Sequence, residues 1–272
     1  MSDFLGLMAA ASHARVGESR ARESLSQLRS RASATRSPPR LERQGRFDVI
    51  AEFKRRSPSA GSFNPCDLTA QVTAYARAGA AAVSVLTEPM QFGGDLSHLK
   101  TAAEALTPLG IPVMRKDFVV DPYQVYETRA DGGGGILLIV RMLPQVQLAE
   151  LLECAREMSL FVLLETFDED DLERAESALE RARPSRDGAP DLLGVNCRDL
   201  RTLGVRTQRL LELAPRLPAG ALRVAESGIE TALDCAQMAR AGFEFALIGS
   251  ALMQCADPAP IIGQMLAAGR AA

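Results

Sequence analysis

Eight short apolar runs, each followed by a longer stretch of helical periodicity, predict an α/β fold: a single (β/α)8 TIM barrel with an N-terminal helical extension. The runs have the length of strands buried on both faces, as in parallel sheets. A chain of 272 residues can bury the core of one such domain without disulfides or metals. Eight repeats favour a closed barrel over an open doubly wound sheet, which is the alternative that alternation alone leaves open.

The N-terminal extension is predicted over residues 1–45 and the barrel over residues 46–272. Apolar side chains recur at helical spacing as far as Arg31. The prolines at residues 38–39 end this pattern, because proline cannot continue a helix. We expect one or two helices packed outside the main body of the protein.

The barrel region contains the eight runs in alternation with helices. The predicted strands cover residues 47–53, 81–86, 112–114, 135–140, 161–164, 192–195, 222–225 and 245–248. Four glycines at residues 132–135 are interpreted as a flexible turn before the fourth strand, because glycine adopts backbone conformations that other residues avoid. Residues 181–190 contain Arg, Pro, Ser and Gly and predict a lengthened surface loop before the sixth strand.

Composition excludes several classes of partner. The formal net charge of −3 gives no reason to expect a nucleic-acid partner. No apolar run is long enough to span a bilayer and no signal peptide is evident, so we expect a cytoplasmic protein with no membrane partner. The five cysteines contain no CxxC pair and the histidines are only His13 and His98, so we expect neither a Cys/His zinc site nor another cofactor.

Lysine is scarce in this chain, which makes its positions informative. Of the 31 basic residues only Lys54, Lys100 and Lys116 are lysines. An arginine cannot deliver a proton near neutral pH, whereas a lysine can. Because Lys54 and Lys116 both fall at predicted strand ends, they are candidates for acid–base chemistry.

The C-terminal ends of the strands, where barrel enzymes carry their active sites, hold polar side chains. Glu52 and Lys54 share one face of the first strand, because side chains alternate along a strand. The other strand ends add Lys116, Glu165, Asn196 and Glu226. Any one of these residues could merely mark where a strand meets solvent, but a confined cluster of Glu and Lys perturbs pKa values and suits proton transfer.

The last two strands end in small residues suited to an anion. Ser227 and Gly228 follow the seventh strand, and Gly249 and Ser250 follow the eighth. Loops at these positions often bind phosphate through backbone N–H groups, and two ordinary glycine turns are the alternative. The strand ends together predict an enzyme that acts on a phosphorylated small molecule through lysine and glutamate, without naming the reaction.

Several motifs resemble those of the indole-3-glycerol-phosphate synthase family. They are IAEFKRRSPS at residues 50–59, RKDF at 115–118, DPYQVYE at 121–127, GVNCRDL at 194–200 and AESGI at 225–229. The resemblance covers about residues 49–253, in order and at the family's spacing. It implies a decarboxylating lyase of tryptophan biosynthesis, which converts 1-(2-carboxyphenylamino)-1-deoxyribulose 5-phosphate to indole-3-glycerol phosphate, carbon dioxide and water.

The resemblance also implies roles for single residues. Lys116 is expected to be the general acid that protonates the substrate carbonyl, and Lys54 the partner of the anthranilate carboxylate that is lost. Glu165 is expected to be the general base of the dehydration, with Glu52 and Asn196 orienting the lysines and the substrate hydroxyls. The residues that the resemblance places at the phosphate site and in the same mouth are Ser57, Glu226, Ser227, Gly228, Gly249 and Ser250.

Lys54 and Lys116 are expected to form a like-charge pair that lowers a lysine pKa, beside a glutamate whose pKa is raised by confinement. The chain departs from the family at two places. Cys197 stands where the family commonly has Asn or Ser, and we expect its side chain to point away from the site. The run at residues 132–135 replaces a Gly-Ala-Asp-Ala pattern and is expected to loosen that loop.

Other functions stay open at this point. Phosphoribosylanthranilate isomerase would use a cysteine and an aspartate at strand ends, which leaves Lys54 and Lys116 without a role. A non-catalytic barrel would not need the acid–base set, and a synthase acting on a modified anthranilate in a secondary pathway would carry the same catalytic residues. Contact with other tryptophan-pathway enzymes is a further expectation, because the family is sometimes fused to them.

Overall fold

The computed structural model describes residues 4–182, 188–199, 202, 204–218 and 220–272. Eight parallel strands close into a barrel in which each strand pairs with the next in sequence and the last pairs with the first. They are β1 (Asp48–Phe53), β2 (Ala82–Leu86), β3 (Val113–Lys116), β4 (Gly135–Ile139), β5 (Phe161–Thr166), β6 (Asp191–Asn196), β7 (Leu222–Glu226) and β8 (Phe245–Ile248). The closed barrel that the alternation predicted is confirmed.

The observed strands coincide in place with the predicted runs and differ at their ends. β3 continues to Lys116 and β5 to Thr166, beyond the predicted ends at residues 114 and 164. Lys116 is still paired with Leu86 in the parallel ladder. Polar residues therefore end the apolar pattern before the backbone pairing ends, and the ladder itself holds the polar side chains at the mouth of the barrel.

Side chains along each strand alternate between the barrel interior and the layer beneath the helices. The interior cluster is buried and separate from the larger cluster under the helices. Among its members are Ile50, Met114, Leu137, Leu163, Val224 and Phe245. The barrel is thus a packed core that is closed from below, and only its upper end is open to a ligand.

Helices surround the barrel. Those of the described ranges are α1 (Phe4–Arg22), α2 (Leu25–Ala34), α3 (Leu68–Arg77), α4 (Pro89–Phe92), α5 (Leu96–Leu106), α6 (Pro122–Ala130), α7 (Gln145–Glu157), α8 (Glu169–Arg181), α9 (Gln208–Leu213), α10 (Ala232–Arg240), α11 (Ser250–Met253) and α12 (Ala259–Ala271). Side-chain oxygens of Asp121, Asp168 and Thr231 accept backbone N–H groups at the starts of α6, α8 and α10. In the part of the chain that the structure describes, no helix is both long and apolar enough to cross a bilayer.

The N-terminal extension forms α1 and α2. α1 buries Met8, Ser12 and Val16, which recur every four residues and so share one face. The Ser12 hydroxyl donates to the carbonyl of Phe118, just after β3. The expectation of one or two helices packed outside the main body is confirmed, and Phe4 at the start of α1 also lines the pocket at the barrel mouth.

The glycines at residues 132–135 lie just before and at the start of β4 and are closely packed. The N–H groups of Gly133 and Gly134 donate to carbonyls of α6 and β3, each at 2.8 Å. A side chain at Gly135, the first residue of β4, would overlap the ring of Phe161. A turn is thus present before β4 as predicted, and close packing accounts for its glycines. Of the predicted loop at residues 181–190, residues 183–187 lie outside the described residues.

Candidate active site

A pocket opens at the C-terminal ends of the barrel strands, with an empty volume of about 1190 Å³ that includes space open to solvent. Every barrel strand, or the residue directly after it, contributes to the wall. All the site residues predicted from the sequence line this pocket: Glu52, Lys54, Ser57, Lys116, Glu165, Asn196, Glu226, Ser227, Gly228, Gly249 and Ser250. The strand-end rule therefore brings together residues that are far apart in the chain.

Lys116 lies among carboxylates. Its Nζ is 2.9 Å from Oε2 of Glu165 and 3.7 Å from Oε2 of Glu226. Burial alone would lower the pKa of Lys116, but the charges of Glu165, Glu226 and Glu52 outweigh it and raise that pKa above its ordinary value. The expected lowering of this lysine's pKa by a second cation is wrong, because carboxylates rather than Lys54 are its charged neighbours. Lys116 is therefore held as an ammonium ion.

Lys54 has its own carboxylate. Its Nζ donates to Oε1 of Glu52 at 2.6 Å, and both side chains are largely buried. A side chain at Gly249 would overlap the Glu52 carboxylate, so glycine after β8 leaves the space that this ion pair occupies. The two lysines are thus each neutralised within the pocket, rather than forming a like-charge pair that Glu52 moderates.

Glu226 is the carboxyl whose pKa is raised. Its two oxygens are buried and make no hydrogen bond to another side chain or backbone group of the described residues. Burial raises the pKa of Glu226 well above its usual range, and the nearby charge of Glu165 adds to this, while Lys116 acts in the opposite direction. Burial and the nearby negative charge therefore favour the protonated form of Glu226 more than is usual for an exposed carboxyl.

Replacing Glu226 with glutamine is expected to stabilise the protein increasingly as the pH rises. The folded-state pKa of Glu226 is raised, so its contribution is present below the unfolded value of about 4.3 and is lost as the pH rises through the folded pKa. Each unit of that rise is worth about 1.4 kcal/mol, and glutamine does not ionise. The Tm of the variant minus that of the parent, followed by circular dichroism between about pH 5 and 8, should increase with pH; a constant difference would contradict it.

Asn196 organises the turn that follows β7. Its Oδ1 accepts from the hydroxyl of Ser227 and from the N–H of Arg198, both at 2.9 Å. Ser227 and Gly228 have φ angles of 70° and 68° in the left-handed region, which is unusual for a serine. This conformation turns the backbone of both residues toward the pocket that they line.

Cys197 packs beneath the same turn. Its thiol donates to the carbonyl of Ser227 at 3.3 Å, and its side chain is buried. Burial raises the pKa of this thiol to about 11, with the charge of Arg198 acting in the opposite direction. The thiol is thus a neutral packing group, as its expected direction away from the site implies.

Two further segments complete this side of the pocket. α11 begins at Ser250, directly after Gly249, and the N–H groups of a helix's first turn have no partner within the helix. The residues after β1 form a two-stranded hairpin, Arg56–Ser57 with Gly61–Ser62, in which the Ser57 hydroxyl accepts from the N–H of Ala60 at 3.0 Å. Ser57, Gly228 and Ser250 therefore line one polar wall.

Sequence reasoning missed a buried ion-pair network beside Lys116. The Asp117 carboxylate accepts from Arg15 at 2.6 and 2.9 Å, from Thr87 at 2.7 Å and from Arg115 at 3.1 Å. Burial alone would raise the pKa of Asp117, but Arg115 and Arg15 hold it well below its usual range. The RKDF motif carried part of this signal, whereas Arg15 lies 102 positions away in a helix with no such motif.

The apolar wall was also missed. The rings of Phe4, Phe92 and Phe118 line the pocket, and the Phe118 ring centre is 5.9 Å from that of Phe4 and 6.4 Å from that of Phe92. Leu86 and Ile139 lie in the same wall. The pocket therefore has an aromatic side and a polar side. Lys116 and its neighbouring carboxylates line the same pocket.

The sequence model of one family, described as indole-3-glycerol phosphate synthase, matches residues 6–265 of the chain. The chain belongs to this family. It is 44% identical over 228 residues to the indole-3-glycerol phosphate synthase of Parafrankia sp. (strain EAN1pec), covering 84% of this chain and 80% of that protein. It is 39% identical over 276 residues to the indole-3-glycerol phosphate synthase of Laribacter hongkongensis, covering 98% and 100% of the two chains.

Solved structures of other enzymes share the barrel of this indole-3-glycerol phosphate synthase family member. 3-Hexulose-6-phosphate synthase from Salmonella typhimurium superimposes with a TM-score of 0.64 at 14% identity, over 82% of this chain and 98% of that chain. Tryptophan synthase from M. tuberculosis gives 0.58 at 16% identity, over 83% and 94%. Similarity at these identities shows the fold alone.

Proposed function

We propose that this chain catalyses the decarboxylating ring closure of 1-(2-carboxyphenylamino)-1-deoxyribulose 5-phosphate to indole-3-glycerol phosphate, with release of carbon dioxide and water. The observation that carries the proposal is Lys116, an ammonium group 2.9 Å from Glu165 in a pocket with one aromatic and one polar wall. The aromatic wall suits the anthranilate ring, and the polar wall suits the phosphate.

Lys116 is the proposed general acid of ring closure. The ring carbon that bears the carboxylate attacks the carbonyl carbon, and Lys116 gives its proton to the carbonyl oxygen as the new carbon–carbon bond forms. Carbon dioxide then leaves, and its bonding electrons restore the aromatic ring. Lys54 is proposed to pair with the departing carboxylate, since its ammonium group lies in the same pocket.

Glu165 is the proposed general base of the dehydration. The hydroxyl formed by ring closure accepts a proton, which we assign to the Lys54 ammonium group, and leaves as water, while Glu165 removes a proton from the adjacent carbon so that the indole double bond forms. The raised pKa of Glu226 favours its protonated form, which limits the negative charge near the proposed base. Glu52 and Asn196 are proposed to orient Lys54 and the substrate hydroxyls, as their contacts support.

The substrate phosphate is proposed to bind the polar wall. The N–H groups of Gly228, Gly249 and Ser250 and the hydroxyl of Ser57 belong to segments that line it. Backbone N–H groups at a short helix start and at a glycine turn bind phosphate without a side-chain cation. Ser227 lines the same mouth.

Turnover of the purified protein tests the proposed function. The chain contains no tryptophan, so the indole fluorescence of the product stands out from that of the protein. We expect product from the parent, and much weaker turnover of the same substrate without its 5′-phosphate. No product from folded parent protein would overturn the proposal and favour a modified anthranilate or a non-catalytic barrel.

Replacing Gly194 with alanine is expected to lower kcat by about 10- to 100-fold, because displacing a catalytic group by about 1 Å can cost 10²-fold. The new methyl group would overlap an oxygen of Glu226 and push this carboxyl toward Lys116 and Glu165. The control is Gly263→Ala in α12, where a methyl group meets nothing within 4 Å. A kcat of Gly194→Ala equal to that of the parent would contradict the assigned position of the Glu226 carboxyl beside Gly194.

Three expectations stay predictions from the sequence. They are the division into an extension over residues 1–45 and a barrel over residues 46–272, the cytoplasmic location, and contact with other tryptophan-pathway enzymes. Deletion of residues 1–45 tests the first of these. A barrel that unfolds cooperatively without them would support the proposed division.

A further inference from the structure

β4 and β5 stop pairing at the level of the proposed base. The last paired residues of the two strands are Ile139 and Glu165, and both line the pocket. Because the ladder ends there, side chains must fix the two segments beyond it. The short 3-10 helix that directly follows β4, Val140–Met142, carries Arg141 to this place.

Arg141 holds the turn that follows Glu165. Its Nε donates to Oδ2 of Asp171 at 2.8 Å, and its Nη2 donates to Asp168. Its guanidinium carbon lies 4.4 Å from the ring centre of Phe167, within cation–π range. The same Oδ2 of Asp171 accepts the N–H of Phe167 at 2.9 Å, so Arg141 binds both the ring of Phe167 and the acceptor of its backbone.

Other side chains hold the same turn from different directions. The hydroxyl of Thr166 donates to the carbonyl of Gly194 at 2.7 Å. Nε of Arg209 donates to the carbonyl of Phe167 at 2.6 Å. Phe167 is itself buried, and its ring packs in the cluster that fills the barrel. The two residues after Glu165 are therefore held in one arrangement, to which Arg141 contributes from the β4 side.

An ordinary ion pair at a helix start is the simpler explanation. Arg141 and Asp168 are about one-third exposed, and water screens pairs this exposed so that they contribute little to stability. That explanation requires only a positive charge near the first turn of α8. The observed contacts require more, because Arg141 stacks on Phe167 and also binds Asp171, whose side chain is only 4% exposed. A planar guanidinium makes both contacts and an ammonium group does not.

We propose that Arg141 is a positioning residue that fixes the carboxylate of Glu165 against Lys116 by clasping the turn at Phe167. The proposal rests on the proposed function, because it takes Glu165 as the general base. It assigns Arg141 no contact with substrate. Without these contacts of Arg141, every group of the site is still present but the carboxylate of Glu165 is less well fixed. We therefore expect kcat to fall while KM is retained.

A double-mutant cycle tests this. Arg141→Ala should lower kcat by about tenfold and change KM by less than about twofold. In the Glu165→Gln background, where no carboxylate remains to be positioned, the same replacement should change the residual rate by less than about twofold. All rates are measured at a temperature at which circular dichroism shows each variant fully folded.

Two single variants separate positioning from charge and from loop stability. Arg141→Lys keeps the charge at the start of α8 but loses the planar group, so its kcat should stay close to that of Arg141→Ala. Arg174→Ala removes contacts from the same helix to the same loop, where Arg174 binds Gln145 at 3.3 Å and the carbonyl of Leu143. Arg174→Ala should have the kcat of the parent, because the hydrogen bonds of the Arg174 side chain go to Gln145 and Leu143 and not, within the described residues, to residues 165–168.

Two results would overturn the inference alone while the parent enzyme turns over normally. One is a tenfold loss from Arg141→Ala that persists in the Glu165→Gln background. The other is parent-like kcat from Arg141→Lys, which would leave only a helix-end charge effect. A folded parent without turnover would overturn the proposed function and this inference with it.

Discussion

Lys116→Met is expected to lower kcat by about 10³-fold, within the range typical of a lost general acid. Methionine keeps much of the length of the stem but carries no proton, and no other ammonium group is hydrogen-bonded to Glu165 among the described residues. The raised pKa of Lys116 means that the parent carries this proton throughout the neutral range. KM should change far less, because the aromatic and phosphate walls are retained.

The third lysine supplies the matched control. Lys100 lies exposed on α5 and does not line the pocket. Lys100→Met should therefore turn over at the parent rate, measured by the same indole fluorescence. If the two variants were equally active, Lys116 would not be the general acid.

Asp117→Ala is expected to lower the free energy of unfolding by about 3 kcal/mol, the lower end of the cost of breaking a buried ion pair, because Arg115 keeps Glu127 as a partner. The Asp117 carboxylate is fully buried and binds both Arg115 and Arg15. Arg115 is only 3% exposed, and without Asp117 its remaining carboxylate partner is Glu127, at 3.0 Å. Urea unfolding followed by circular dichroism measures the loss.

A surface ion pair between the same two parts of the chain is the control. Arg31 of α2 binds Asp131 at 2.9 Å, and Arg31 is 44% exposed. Asp131→Ala should cost at most about 1 kcal/mol. Equal losses from Asp117→Ala and Asp131→Ala would show that burial does not govern the Asp117 network.

The Asp117 network also makes the stability of the protein depend on pH in the acidic range. The pKa of Asp117 is lowered in the folded state, so its contribution is present above the unfolded value of about 3.9 and is lost as the pH falls through the folded pKa. Asp117→Asn does not ionise. It should therefore be less stable than the parent at neutral pH, and the gap should narrow as the pH falls below about 4.

The strand ends could be predicted from the sequence because two local signals coincide there. A buried parallel strand is a continuous apolar run, and its end at the mouth is marked by the first ionisable residue. Glu52 and Glu165 follow this rule, and Lys54 and Lys116 lie within two residues of such a residue, so their common pocket needed only the barrel to be inferred. The lysine scarcity strengthened the choice of Lys54 and Lys116.

Features that depend on distances across the fold could not be predicted in the same way. The sign of the pKa shift of Lys116 depends on which carboxylates surround it, and no sequence pattern shows which ones do. Arg15 meets Asp117 across 102 positions, and Phe4 reaches the pocket from a helix without a recognisable motif. Gly135 looked like part of a flexible run, because its contact with Phe161 is visible only in three dimensions.

The docking of α1 on the barrel mouth also sets an order of events during synthesis. α1 leaves the ribosome before the barrel does, and its partner Asp117 follows Arg15 by 102 residues. At about 5–20 residues per second this interval lasts roughly 5–20 s. Arg270 of α12 pairs with Asp48 of β1 across 222 positions, so this ion pair between the two ends of the barrel forms only after α12 has been synthesised. A nascent chain therefore carries α1 without its docking partner for seconds, and the contact of α1 with Asp117 can form before β8 and α12 have been synthesised.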